Sequence, residues 1–187
     1  MFATFRSDPV GSAAAVAYRR VVEQSRQPAF FVESAVPDTI DGRFELVCLH
    51  AFLYLRRLKR ERPDAAPLAQ RFFDTMFADF DRSLREMGTG DLRVGREIKR
   101  MAAAFYGRVA AYEEGLAADD AALAAALLRN LYGTAPPAAA SLQAMAQYVR
   151  RAADKLDEQA AAELLAGRVA FGDGPDAAAA VTEAATG

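Results

Sequence analysis

The sequence predicts an all-α fold, a single-domain helical bundle of about six to seven helices. Three observations carry that reading. Two long segments, near 65–87 and near 92–116, repeat their apolar residues at helical spacing. Almost no stretch alternates apolar and polar residues as a half-buried strand would. The composition is rich in Ala, Leu and Arg, all strong helix formers. At 187 residues with 52% hydrophobic side chains the chain can bury a sizeable core.

Asp8-Pro9 opens the first helix, with proline suited to a first turn, and the helix ends near Arg26, before Pro28. Residues 27–37 read as an ordered loop whose Phe30, Phe31 and Val32 tuck into the core. Pro37-Asp38 starts the second helix, near 39–61, with Asp38 as its N-cap. That helix is apolar almost all round between Leu46 and Leu55, which predicts a central position. It closes on Arg56, Arg57, Lys59, Arg60 and Arg62, cations that suit a helix C-terminus.

The third helix, near 65–87, carries a stripe from Leu68 through Phe72, Phe73, Met76, Phe77 and Phe80 to Leu84 and Met87. Gly88 is placed as the left-handed residue that stops it. A tight turn through Thr89 and Gly90 follows, with Asp91 as N-cap of the fourth helix. That helix, near 92–116, buries Val94, Ile98, Met101, Phe105, Val109, Tyr112 and Leu116. Arg93, Arg96 and Arg100 share another face, joined by Lys99. Shorter helices are expected at about 119–131, 138–154 and 157–167. Residues 1–171 therefore form the bundle, and 172–187, all Ala, Gly and acid without period, form a mobile tail.

The net charge of −2 gives nucleic acid no bulk electrostatic support, so no DNA partner is expected. The single cysteine, Cys48, reads as a buried thiol in a reducing compartment. No secretory signal or spanning segment is read. Leu46–Leu55 is about half the ~20 residues that a membrane crossing needs. The expected location is cytoplasmic, with peripheral attachment to the inner membrane as the alternative.

Candidates for catalysis are weak. His50, the sole histidine, reads as a hydrogen-bonded core residue. With Cys48 it cannot make a zinc site, because i and i+2 diverge on a helix. Asp74, Asp79 and Asp81 do not converge and read as solvated helix charges. Gly88-Thr89-Gly90 lacks the Lys-Ser/Thr of a phosphate loop. No small-molecule substrate, cofactor or metal is expected, and the chain reads as a non-enzyme. The basic face of Arg93, Arg96, Lys99 and Arg100 is either an ordinary solvated face or a docking surface. The same alternatives hold for the cations from Arg56 to Arg62.

Several words of the sequence also resemble one known family. Arg26-Gln-Pro-Ala-Phe-Phe, Val36-Pro-Asp-Thr-Ile-Asp-Gly-Arg-Phe-Glu and Leu49-His50 come first. Phe73-Asp-Thr-Met-Phe-Ala-Asp-Phe-Asp leads into the block at 81–108, which Phe105-Tyr-Gly-Arg closes. Over about residues 14–135 the chain resembles the ubiquinol–cytochrome c chaperone family, in its bacterial form. The resemblance implies a non-enzymatic assembly chaperone for the cytochrome bc1 complex. Its client would be newly synthesised cytochrome b, with the ribosome or inner-membrane surface as further partners. Two other readings stay open: a helical enzyme acting on isoprenoid or haem intermediates, and a generic protein–protein adaptor. A chaperone should show an exposed apolar groove bordered by charge. Within such a groove Phe30, Phe31 and Tyr106 are the expected client contacts, beside the basic face.

Overall fold

The computed structural model describes residues 8–133 and 135–176. Among these residues there are eight α-helices, one π-helical turn and no strand. The first helix, α1 (Pro9–Ser25), starts as expected, with the Asp8 carboxylate accepting from the Gly11 N–H. The expected loop that follows contains a short helix, α2 (Ala29–Val32). Phe30 is fully enclosed there, but Val32 is 74% exposed, so it does not tuck in.

The second long helix, α3 (Ile40–Lys59), is capped by Thr39, whose hydroxyl accepts from the Gly42 N–H. Asp38 is not the cap. Its carboxylate instead takes the Arg43 guanidinium at 2.6 Å. From Leu46 to Leu58 nearly every α3 side chain is buried. This helix is the axis of the fold, touching α1, α4 (Ala66–Glu86), α5 (Asp91–Ala117) and α7 (Ala139–Glu158).

The α4 stripe buries Leu68, Phe72, Met76, Phe77 and Phe80, and then runs out of core. Leu84 is half-exposed and Met87 is 52% exposed. Gly88 has φ +84°, the left-handed stop the sequence implied. The next cap falls on Gly90 rather than Asp91, which is the first residue of α5. Asp91 instead pairs with Arg85, which also holds Asp81.

After α5 come α6 (Asp120–Leu127) and a π-turn (Leu128–Tyr132). The sequence suggested one continuous helix here. α7 and the short α8 (Ala161–Leu165) complete the bundle. The chain then runs back across α1, where the Gly172 carbonyl accepts from Gln24 and Pro175 is buried. Packed structure thus reaches into the segment expected as a tail. Residues 177–187, the rest of that expectation, lie outside the described residues.

Candidate functional site

A groove of about 930 Å³ opens between α1, the N-terminal half of α3, the C-terminal half of α4, the first half of α5 and the π-turn. Helical periodicity builds its apolar lining. The α1 residues Tyr18 and Val22 are four apart, and α3 adds Phe44 and Val47, three apart. The exposed end of the α4 stripe supplies Leu84 and Met87, and α5 supplies Met101 and Ala104. The π-turn, a device often found at functional positions, adds the buried Leu131 and Tyr132 to the lining.

Charge borders this surface. Arg26 and Arg43 stand on one side, and Glu97 with Arg100 on the other. Glu45 and Arg108 sit deepest among the ion-paired charges that line it, with side chains only 12% and 18% exposed. The Arg108 Nε donates to Glu45 Oε2 at 2.5 Å, and a second nitrogen grips Oε1. The same guanidinium lies 5.9 Å from the centre of the Phe44 ring. Burial raises the Glu45 carboxyl's pKa, and the Arg108 hydrogen bond and charge offset that in part. Tyr18 donates to Asp79 at 2.8 Å beside this pair. Burial first, then the Asp79 carboxylate, push the Tyr18 hydroxyl's pKa up, so it stays a neutral donor.

The residues singled out from sequence do not gather in one place. Arg100 lines the groove and pairs with Glu97 at 2.8 Å. Arg93, Arg96 and Lys99 lie on the outer face of α5 and make no ion pair among the described residues. Phe31 is half-buried beneath the Arg43 guanidinium, and Tyr106 is 62% exposed and stacked on Phe73. Neither lines the groove. Phe30 contacts His50 and Tyr148 in the core, so reaching a partner would require it to leave.

His50 has the structural surroundings its sequence context implied. Its Nδ1 lies 2.7 Å from the Leu46 carbonyl and 3.0 Å from Ser25 Oγ, and its Nε2 lies 2.7 Å from the Tyr148 hydroxyl. Ser25 donates its own proton to the Val21 carbonyl. The pattern therefore assigns the ring proton to Nδ1 and makes Nε2 the acceptor for Tyr148. Full burial lowers the His50 pKa to about 4, which keeps the ring neutral. The three aspartates are engaged separately: Asp74 with Gln70, Asp79 with Tyr18 and Arg82, and Asp81 with Arg85. No group of three His, Cys, Asp or Glu residues among the described residues could hold a metal ion.

A profile of the ubiquinol–cytochrome C chaperone family matches residues 32–171. This chain belongs to that family. The match reaches Phe171, well into the C-terminal third, where the words of the sequence were less clear. Ubiquinol-cytochrome-c reductase complex assembly factor 1 of Xenopus laevis is 29% identical over 148 residues, 79% of this chain and 74% of the frog protein. The human protein of the same name is also 29% identical over 148 residues, but this chain spans only 50% of its length. The crystal structure of the Cbp3 homolog from Brucella abortus superimposes with a TM-score of 0.80 at 39% identity, covering 90% of this chain and 93% of that one.

Within this chaperone-family fold the resembling words converge on the groove. The word at 36–45 supplies the buried Val36, the Thr39 cap and Glu45. The word at 105–108 supplies the core residue Phe105 and the Glu45 partner Arg108. The word at 73–81 adds Asp79 and Phe80 to the wall. Sequence reasoning found these words but did not single out Glu45 or Arg108. The signal was present, since each is a charge adjoining an apolar face.

Proposed function

We propose that this chain is an assembly chaperone for the cytochrome bc1 complex and acts without catalysis. In this reading it holds an apolar segment of newly made cytochrome b in the groove. One observation carries the placement: the groove gathers apolar side chains from five elements among and beside charged ones, and is built largely by the words that carry the family resemblance. The assembly-factor names of its relatives support the client class. Met87 and Met101 give the groove unbranched, adaptable side chains, which suit transient capture of varied apolar residues. Arg26, Arg43 and Arg100 at the rim then orient the captured segment through its polar flanks.

The test uses Val22 and Leu84, which line the groove without belonging to the buried core. A photo-crosslinking residue at either position, in cells making the bc1 complex, should form an adduct containing cytochrome b. Val22→Gln with Leu84→Gln should lower assembled bc1 complex while the chaperone's own level stays the same. Normal assembly in that double variant, with the protein folded and present, would overturn the groove as the client site.

A further inference from the structure

The outer face of α5, together with the α4–α5 turn, has a composition the groove does not account for. Of the six large hydrophobic residues exposed among the described residues, two stand here outside the groove: Leu92 at 94% exposure and Tyr106 at 62%. Leu92 and Tyr106 lie within about 40° of each other on the helical wheel and about 21 Å apart along the axis. Arg96 and Lys99 lie between them on that face, and Arg93 and Arg100 flank it.

The charge is one-sided where it is free. Residues 85–100 hold five cations and three acids in a chain whose net charge is −2. Arg85 engages Asp91, and Arg100 engages Glu97. That leaves Arg93, Arg96 and Lys99 without ion-pair partners among the described residues, while Glu86 lies in the field of Arg82. The other basic cluster differs. Arg56 and Arg60 bind Asp157, and Arg57 is buried against Glu61 and the last carbonyls of α7. Arg56, Arg57 and Arg60 hold helices together, while Arg93, Arg96 and Lys99 join α5 to no other element by an ion pair among the described residues.

We infer that this face docks on an anionic phospholipid surface, with α5 lying along the membrane plane. Leu92 reaches the boundary between headgroups and acyl chains. Arg93, Arg96 and Lys99 meet phosphates, and Tyr106 sits at headgroup depth with its ring inward and its hydroxyl in water. An apolar tip next to unpaired cations, with a tyrosine further along the same face, fits a lipid interface better than an acidic protein, which would leave Leu92 in water. No helix among the described residues is long and apolar enough to cross a membrane, so attachment through this face is peripheral. The inference does not depend on the client reading, because it needs no cytochrome b.

The test is flotation of the purified protein with vesicles of phosphatidylcholine alone or with phosphatidylglycerol added. The protein should float with the anionic vesicles and not with the neutral ones, and molar salt should release it. Each cation near such a surface contributes about fivefold, so Arg93→Gln, Arg96→Gln and Lys99→Gln together should weaken association on the order of a hundredfold. Leu92→Ser should weaken it at every salt concentration at which the wild type still binds. Circular dichroism checks that both variants keep their helix content. Equal flotation with both vesicle types, or unchanged binding by the folded triple variant, overturns the inference. So does a wild type that fails to float while the triple variant loses bc1 assembly in cells, which would assign the face to an acidic protein.

Discussion

Arg108 grips the Glu45 carboxylate with two nitrogens across 63 residues of sequence, tying α5 to α3 beside the groove. Arg108→Gln removes the charge that makes burial of Glu45 tolerable. It should cost about 2–3 kcal/mol, below the cost at a fully buried pair because both groups keep some water contact. Glu45→Gln added to it should restore part of that loss, because neither charge is then left alone. Denaturant midpoints for the four proteins of the cycle give the coupling, and strictly additive costs would show that the pair does not couple the helices.

Gly42 tests a different constraint in the same segment. A Cβ there would lie 2.0 Å from the Pro37 carbonyl oxygen, a backbone atom that cannot swing aside. Gly42→Ala should therefore destabilise by about 3 kcal/mol or more. Gly95 is the contrast: it sits inside α5 with nothing within 4 Å of a Cβ. There the same replacement should stabilise by about 0.5–1 kcal/mol. Thermal unfolding of the two variants should move in opposite directions.

At Gly88 space is not the constraint. A Cβ would meet nothing within 4 Å, yet φ is +84°. Gly88→Val should cost about 1–3 kcal/mol through backbone conformation alone. Gly88→Asn should cost less, since Asn tolerates the left-handed region. Equal losses in a urea titration would contradict that account.

The His50 pKa, lowered from 6.5 to about 4, has a definite sign in the pH dependence of stability. Between those values the unfolded chain binds a proton that the folded chain refuses, so stability falls as pH falls. The contribution is complete above pH 6.5, fades through that window, and amounts to about 3 kcal/mol. His50→Gln should lower stability at pH 7 and flatten the slope between pH 6.5 and 4. A slope unchanged from wild type would assign acid sensitivity to the carboxylates instead.

The bundle was legible because its evidence is local. The Leu68–Phe80 stripe and the apolar run from Leu46 repeat every three or four residues, and each repeat is visible within one helix. Caps were read one residue wrong twice. Asp38 and Thr39 are both competent caps, and the close approach of Gly42 to Pro37, which no sequence pattern marks, favours Thr39. Asp91 lost the cap position to Gly90 and is held by Arg85 from the preceding helix. The groove was the hardest part to read. Its lining comes from five elements, and Leu84 and Met87 follow the same stripe as the buried phenylalanines. Periodicity marks a face as apolar but not where the neighbouring helix ends. The enclosure of Phe30 and the pairing of Glu45 with Arg108 depend on contacts across α7 and α5, which local pattern does not encode.

The hydrogen bond from Tyr148 to His50 spans 98 residues, and this has a consequence for synthesis. At ~5–20 residues per second the ribosome adds those residues in about 5–20 s. Through that interval His50 has no Tyr148 to satisfy its Nε2, and Phe30 has no Tyr148 ring beside it. The pocket around His50 therefore stays open on one side until the seventh helix emerges, although α1 already has α3 and α4 to pack on. Chaperones of the cell would meet this chain as a client before it could serve as one.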